Sequence, residues 1–389
     1  MATAIVSGAL ANKPWNGGEA WVRLSWALGL QRLGFDVHFV EEIAEASCVG
    51  ETGEPARFAD SINRTFFESV GREFGLDERA TLLCDGGRES VGPRLDALAE
   101  IAAEADVLFD ISGHLRSPAL LGGPGTRVYV DLDPGFTQAW HADGAVGFRL
   151  GKHDRYVTVG LNVGQPGCPI PDGGIEWIPT LPPVLLEEWQ PRPAQAARLR
   201  FTTVASWRSP YGAPRIGGRE ASLKHHQFRR FLAIPERLPE TRFELALDIH
   251  PGDARDRAAL GEHGWRIADP RALAGTPQAF RDYVVGSAAE FSVAQGVYTE
   301  TGSGWFSDRT AAYLASGRPA IVQETGLESS LRLGEGLLTF STLEEAVAAA
   351  ERVAADPVAH GEAARRLAVE RLDSDLVLGR LLSLLGIGG

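Results

Sequence analysis

Cysteine, methionine and lysine are all scarce in this chain of 389 residues, and long apolar runs are missing altogether. Cys48, Cys84 and Cys168 are scattered without metal-ligand spacing, and three thiols cannot all pair with one another. A disulfide scaffold is therefore excluded, and a reduced, cytoplasmic compartment is expected. No apolar run reaches the roughly 18 residues that mark a membrane span, and Thr3 to Val6 reads as a strand rather than as part of a signal peptide. Among 38 basic residues only Lys13, Lys152 and Lys224 are lysines. A genomic bias toward arginine codons accounts for most of that, so the three lysines carry little weight by themselves. A surplus of positive charge is also absent, since the net charge is -13. This argues against a function dominated by nucleic acid or an acidic membrane surface, while leaving room for a local basic groove that holds a diphosphate. There is no internal repeat and no low-complexity tract.

What is present reads as two α/β units, for which the length is comfortable. The chain opens with a strand at Ala4 to Ser7, a glycine-containing loop with Asn12, Lys13, Asn16, Gly17, Gly18 and Glu19, a helix from Ala20 to Leu33 and a strand from Asp36 to Val40. This is a βαβ unit, which predicts a parallel sheet. The Gly-x-Gly-x-x-Gly fingerprint of a dinucleotide site is absent from its first turn. Residues 48 to 92 are polar and glycine-punctuated, with Leu82 and Leu83 in a strand. Strands are predicted at Asp106 to Ser112, ending in Gly113-His114, and at Arg127 to Asp131, running into Leu132-Asp133-Pro134. Crossovers of one hand open both strand ends on the same sheet edge, so His114 and Asp133 are expected to line one cleft. His114 suits a general base near neutral pH, or a substrate-binding or structural hydrogen-bonder. Pro179, Pro182, Pro183, Pro191 and Pro193 crowd a span that reads as a semi-rigid linker. Beyond it come a strand at Phe201 to Ser206, a long loop with Arg208, Arg215 and Arg219, and Lys224 at the head of a helix through Phe231.

The run from Gly296 to Gly326 is the most informative. It reads as a small-residue loop with Gly302, Ser303 and Gly304, a helix capped by Ser307 that runs to Ser316, a stop at Gly317 and a buried strand at Ala320 to Val322. Loop and helix start are expected to aim N–H groups and the positive end of the helix at an anion, with Arg309 adding a bidentate contact to a phosphate. Gln323, Glu324, Thr325 and Gly326 follow at the strand's carboxyl end, where open α/β sheets hold ligands.

In its order of small-residue loop, Ser-Asp-Arg helix start, Ala315-Ser316-Gly317-Arg318-Pro319-Ala320-Ile321, polar residues and Thr-Gly, this run resembles the donor half of nucleotide-sugar glycosyltransferases of the GT-B fold. The resemblance covers residues 296 to 345 well and extends more loosely over most of the chain. It implies two facing Rossmann-like domains with a cleft between them. The implied boundaries are an acceptor-side domain at 1–180, a linker at 181–197, a donor domain at 198–370 and a final helix at 371–389, the last helices crossing back onto the first domain or packing wholly on the second. Glu300 and Asp308 have the spacing of the family's Glu-x7-Glu pair, but the Ala315 to Pro319 landmark moves that register onto Gly304 and Ala312. The ribose-binding acid of that motif is missing here.

The function implied is transfer of a sugar from a nucleoside-diphosphate sugar to an acceptor, with no cofactor and no obligatory metal. The resemblance assigns the donor diphosphate to Lys224, aided by Arg208 or Arg219, together with Gly302, Ser303, Gly304, Ser307 and Arg309. Glu324, Thr325 and Gly326 would meet the sugar. Asn16, Gly17, Gly18 and Glu19 would face the acceptor, the two glycines letting backbone approach it, and His114 or Asp133 would take its proton. Other readings stay open: the Asn16–Glu19 loop as a plain connection, Lys224 as a solvated helix residue, and Asp131-x-Asp133 as the metal motif of the GT-A fold. At the level of function the alternatives are a non-hydrolysing sugar-nucleotide epimerase and a non-catalytic binding protein. Nucleotide, sugar, acceptor and oligomeric state are not legible.

Overall fold

The computed structural model describes residues 2–144, 150–192, 199–209 and 211–387. Sixteen strands are assigned among them. The first eight are β1 Thr3–Ser7, β2 Asp36–Ile43, β3 Ala80–Cys84, β4 Glu89–Val91, β5 Val107–Ile111, β6 Thr126–Asp131, β7 Arg155–Thr158 and β8 Trp177–Pro179. They form one sheet in the order β4-β3-β2-β1-β5-β6-β7-β8, parallel except for the β3–β4 edge. The second set is β9 Arg200–Ser206, the short hairpin β10 Arg215–Ile216 and β11 Arg219–Glu220, then β12 Arg242–Asp248, β13 Arg266–Ala268, β14 Ala289–Ser292, β15 Ala320–Gln323 and β16 Leu337–Phe340. Apart from the hairpin these make a parallel sheet in the order β13-β12-β9-β14-β15-β16.

Strands such as β3, β5 and β14 are buried at every position. That is the mark of parallel strands covered by helices on both faces, and it explains why they read as apolar runs without alternation. In each sheet the chain builds outward one way from its first strand and then resumes on that strand's other side, between β1 and β5 and between β9 and β14. Such switch points open a crevice outside the strands' carboxyl ends. The molecule therefore has two doubly wound α/β units, as expected.

The helix Gly17–Arg32 joins the halves. Most of its surface is buried because it meets its own sheet, the helix Pro277–Val285 of the second unit and the final helix Ser374–Leu385. Trp21 donates its indole N–H to the Pro277 carbonyl at 2.8 Å and lies against Trp189 at 5.1 Å between ring centroids. At Gly29 a Cβ would stand 2.6 Å from Leu378 Cδ1, so a larger residue would force Leu378 of the last helix to shift. Arg32 holds that helix with two bonds to Asp375, at 3.0 and 2.9 Å. The C-terminal helix thus crosses back onto the first unit, and Leu372, Val184 and Ser374 fix the crossing through backbone bonds of 2.8 and 2.9 Å. The linker is packed as well as proline-stiffened, since Val184, Leu185 and Trp189 are buried; its expected end, residues 193–197, lies outside the described residues.

Candidate active site

The first switch-point loop follows β1. Leu10, Ala11 and Asn12 donate three successive N–H groups to the Glu41 carboxylate at 2.8, 2.6 and 2.8 Å, which folds the loop back over β2. Burial pushes the Glu41 carboxyl up to about 7 against the pull of those donors. The loop delivers Lys13, whose ammonium lies 2.9 Å from Glu19 Oε1, while Arg23 pairs with the other oxygen of Glu19. Burial would raise Glu19, but Lys13 and Arg23 outweigh it and hold the carboxyl down at about 2. Asn16 caps the helix by accepting from Glu19 N at 3.2 Å, so the helix starts at Gly17 rather than at Ala20.

Gly17 and Gly18 serve packing. A Cβ on Gly17 would lie 2.0 Å from the Thr276 carbonyl oxygen, and one on Gly18 3.0 Å from the Phe280 ring. The expected role of these two glycines, close approach of backbone to a substrate, is therefore replaced by close approach to the second unit.

At the end of β6, Asp131 is buried and accepts from Asp133 N, Thr137 Oγ1, Gln138 Nε2 and Thr158 Oγ1 at 2.7 to 3.0 Å. Those four bonds saturate it as a strand-end anchor. Asp133 instead faces the crevice, open to solvent although protein surrounds it. Burial, then Asp131, raises its carboxyl above the usual range, with Lys13 opposing. Tyr298 of the second unit donates its hydroxyl to Asp133 Oδ1 at 3.1 Å. His114 is half-buried in the turn after β5, where Ser112 and Gly113 take positive φ values of 60° and 64°.

From the second unit, Lys224 heads a short helix, Lys224–Phe228, whose first N–H donates to Gln295 Oε1 at 2.7 Å. Its ammonium is pushed down to about 8, chiefly by burial and then by Arg309, while Asp133 and Asp308 oppose the shift. Asp308 begins the helix Asp308–Ala315 under the Ser307 cap and is raised to about 6 by burial and then by Glu19. Lys13, Glu19, Arg23, Asp133, Lys224, Tyr298, Asp308 and Arg309 thus form one electrostatic neighbourhood drawn from both units. Beside it, between the helix starts, is a cavity of about 30 Å³ bordered by Gly18, Trp21, Leu132, Phe306 and Asp308.

Several donor-side expectations are corrected. Gly296–Thr301 is a helix of its own, ending at Gly302 with φ 57°, where a loop was expected. The Ser303 and Gly304 N–H groups do not form a cradle, because they donate to the carbonyls of Tyr298 at 3.1 Å and Thr325 at 2.6 Å. Their own carbonyls accept from Asn162 and Leu161 of the first unit at 3.0 and 3.2 Å, and Asn162 Nδ2 donates to Gly302 O and Gly326 O at 2.8 and 2.9 Å. This stretch is an interdomain latch. The Arg309 guanidinium turns inward to Glu290, the Val204 carbonyl and Ser292 at 2.7, 3.0 and 2.5 Å, because the buried Glu290 needs a counter-charge. A bidentate phosphate contact is not available to it. Arg208 is tied to Asp253, and Arg219 is exposed on the β10–β11 hairpin. Glu324 Oε1 accepts from the N–H groups of Gly326 and Leu327, and the buried Thr325 hydroxyl donates to the Trp305 carbonyl at 2.7 Å. The Thr325 hydroxyl therefore holds the latch rather than presenting itself to a sugar.

Tyr298, Asp308, Lys13 and Asn162 were not assigned from the sequence. For Lys13 a signal existed in the scarcity of lysine, two of the three standing at this crevice. For Tyr298 there was none. Among the described residues no group of three or more His, Cys, Asp and Glu side chains is arranged to hold a metal ion, and no helix is long and apolar enough to cross a membrane.

No family model and no curated protein sequence matches the chain. Solved structures do match over nearly its whole length. An α-glucosyltransferase in complex with UDP aligns over 99% of this chain and 100% of its own with a TM-score of 0.61 at 10% identity. Anabaena Alr3699/HepE in complex with UDP-glucose covers 98% and 99% with a TM-score of 0.59 at 11% identity. A glycosyltransferase from Rickettsia africae ESF-5 covers 98% and 97% with a TM-score of 0.54 at 12% identity. The chain shares the fold of these structures, two Rossmann-like units of the GT-B type.

Proposed function

We propose that this protein transfers a sugar from a nucleoside-diphosphate sugar, a uridine nucleotide in the first instance, to an acceptor held against the first unit. The observation that carries the reading is the meeting of Lys224 from the second unit with Asp133 and Lys13 from the first at the switch-point crevice of a GT-B frame. In the reaction the anomeric carbon–oxygen bond to the diphosphate breaks and a bond to the acceptor oxygen forms. Negative charge grows on the leaving diphosphate, and the acceptor's proton must be taken up. Lys224 supplies positive charge for the first need. Asp133, its carboxylate directed by a hydrogen bond, supplies a base for the second, in an inverting reaction. His114, in the turn after β5, is the alternative proton acceptor. These charges support a transfer that needs no divalent cation.

The test is a thermal-shift screen with nucleoside diphosphates and their sugars, followed by product analysis with the best donor and an acceptor panel. A ligand that binds only the folded state raises the midpoint in proportion to the logarithm of its concentration over its Kd. The expected result is a raised midpoint with a uridine diphosphate sugar and formation of a glycosylated product. Sugar-nucleotide interconversion without acceptor would replace transferase by epimerase, and binding without any turnover would leave a binding protein.

A further inference from the structure

We propose that Tyr298 is a positioning residue that orients the Asp133 carboxylate across the interdomain boundary, so that the proton acceptor is complete only when the two units are docked. This inference rests on the reading of Asp133 as the base. It starts from the hydroxyl of Tyr298, which donates to Asp133 Oδ1 at 3.1 Å although the two residues belong to different units.

The hydroxyl has a fixed aim. The Tyr298 ring is 3% exposed, stacks on Trp305 with centroids 4.4 Å apart and planes at 20°, and meets the edge of Phe136 at 6.1 Å and 79°. Phe136 opens the helix that begins three residues after Asp133. The Tyr298 carbonyl is held by the Ser303 N–H at 3.1 Å, and Ser303 and Gly304 are in turn bonded to Asn162 and Leu161 of the first unit. One helix, Gly296–Thr301, therefore carries the tyrosine that orients Asp133, follows the Gln295 that caps Lys224, and leads into the latch. Parting the units would break the Tyr298–Asp133 bond together with the latch. With Oδ1 occupied by the tyrosine, Oδ2 is the oxygen left for an acceptor hydroxyl.

Charged and titratable groups face Asp133 from every side: Asp131 on its own strand end, Lys13 and Glu19 from the first loop and helix, and Lys224 and Tyr298 from the second unit. A hydrogen bond donated to a carboxylate favours the ionised form, the form a base requires, whereas Asp131 and Glu19 disfavour it. Removing the hydroxyl while keeping the ring isolates that contribution.

The experiment compares the wild type with Tyr298→Phe in two readouts. The first is the titration of the Asp133 carboxyl by carbon NMR on aspartate-labelled protein, its resonance assigned by its loss in Asp133→Asn. The second is the acid limb of the pH profile of kcat/KM for the donor that the thermal-shift screen identifies. Both midpoints are expected to rise by about 1 pH unit, equivalent to a tenfold change in the protonation equilibrium. Phe136→Leu, which loosens the same packing but keeps the hydroxyl, is the control and should leave the NMR midpoint in place. An Asp133 midpoint unmoved in Tyr298→Phe, or moved equally in Phe136→Leu, overturns the proposal. A wild type without transfer activity would defeat the transferase reading, while the NMR midpoint would still decide the role of Tyr298.

Discussion

Replacing Lys224 should separate activity from stability in opposite directions. In the fold its ammonium is held down at about 8, mainly by burial and by Arg309, from an ordinary 10.5. The native state therefore binds fewer protons than the unfolded chain between those values, so the charged lysine is a burden on stability at pH 7 that lifts progressively as pH rises from about 8 to about 10.5. Lys224→Ala removes that burden, and Tm is expected to hold or rise. The same change deletes a positioned charge opposite the leaving diphosphate, a loss that costs about 100- to 1,000-fold in rate, or roughly 2.7–4 kcal/mol of transition-state stabilisation. A pH series adds a second arm. With a pKa of about 8, the lysine is about nine-tenths charged at pH 7, so wild-type kcat/KM should decline above about pH 8. Lys224→Arg, which stays charged, should flatten that alkaline limb whatever its absolute rate. Radiolabelled sugar transfer and differential scanning calorimetry on the three proteins decide the matter. A Lys224→Ala protein that keeps its rate, or one that loses rate only in step with a lowered Tm, refutes the assignment.

Three further outcomes follow from the same geometry. Arg309→Ala should behave as a structural lesion, because it strands the fully buried Glu290 without its counter-charge; urea unfolding should show a loss of about 3–5 kcal/mol, and a change below 1 kcal/mol would contradict the inward ion pair. Gly17→Ala forces a methyl against the Thr276 carbonyl, so overpacking of about 1–3 kcal/mol is expected, together with a looser arrangement of the two units by small-angle scattering; an unchanged Tm and profile would contradict that contact. Transfer should persist in EDTA, and an activity abolished by chelation and restored by magnesium or manganese would show that Lys13 and Lys224 do not suffice.

The elements that could be read from the sequence are those whose stability is local or follows from burial on both faces. The stop at Gly317 and strand β15 lie where the residue pattern puts them, since glycine stops and apolar runs act within a few positions of themselves. The helix Gly296–Thr301 was hidden because Gly-Val-Tyr-Thr-Glu-Thr has poor helical propensity. It is held by burial of Val297 and Tyr298 in an apolar cluster that also contains Phe136, Ile170 and Ile216, residues up to 162 positions away. Residues 48 to 92 were opaque for a related reason. Only Leu82 and Leu83 stood out as a strand there; the full β3 is defined by pairing with β2 and β4, and the helix Ile62–Glu73 by packing on β3.

From its sequence this chain determined its class, two α/β units with Asp133 and His114 just past the carboxyl ends of strands and Lys224 at the head of a helix, because element type and crossover hand follow from local pattern and chirality. Only the tertiary structure decided which polar groups remain available at the crevice. It turned Arg309 inward to a buried glutamate, spent the Ser303 and Gly304 amides on a latch, and brought Tyr298 to Asp133 from the other unit. Hydrogen-bond partners and counter-charges are allotted by contacts between distant segments, and no short-range pattern encodes that allotment.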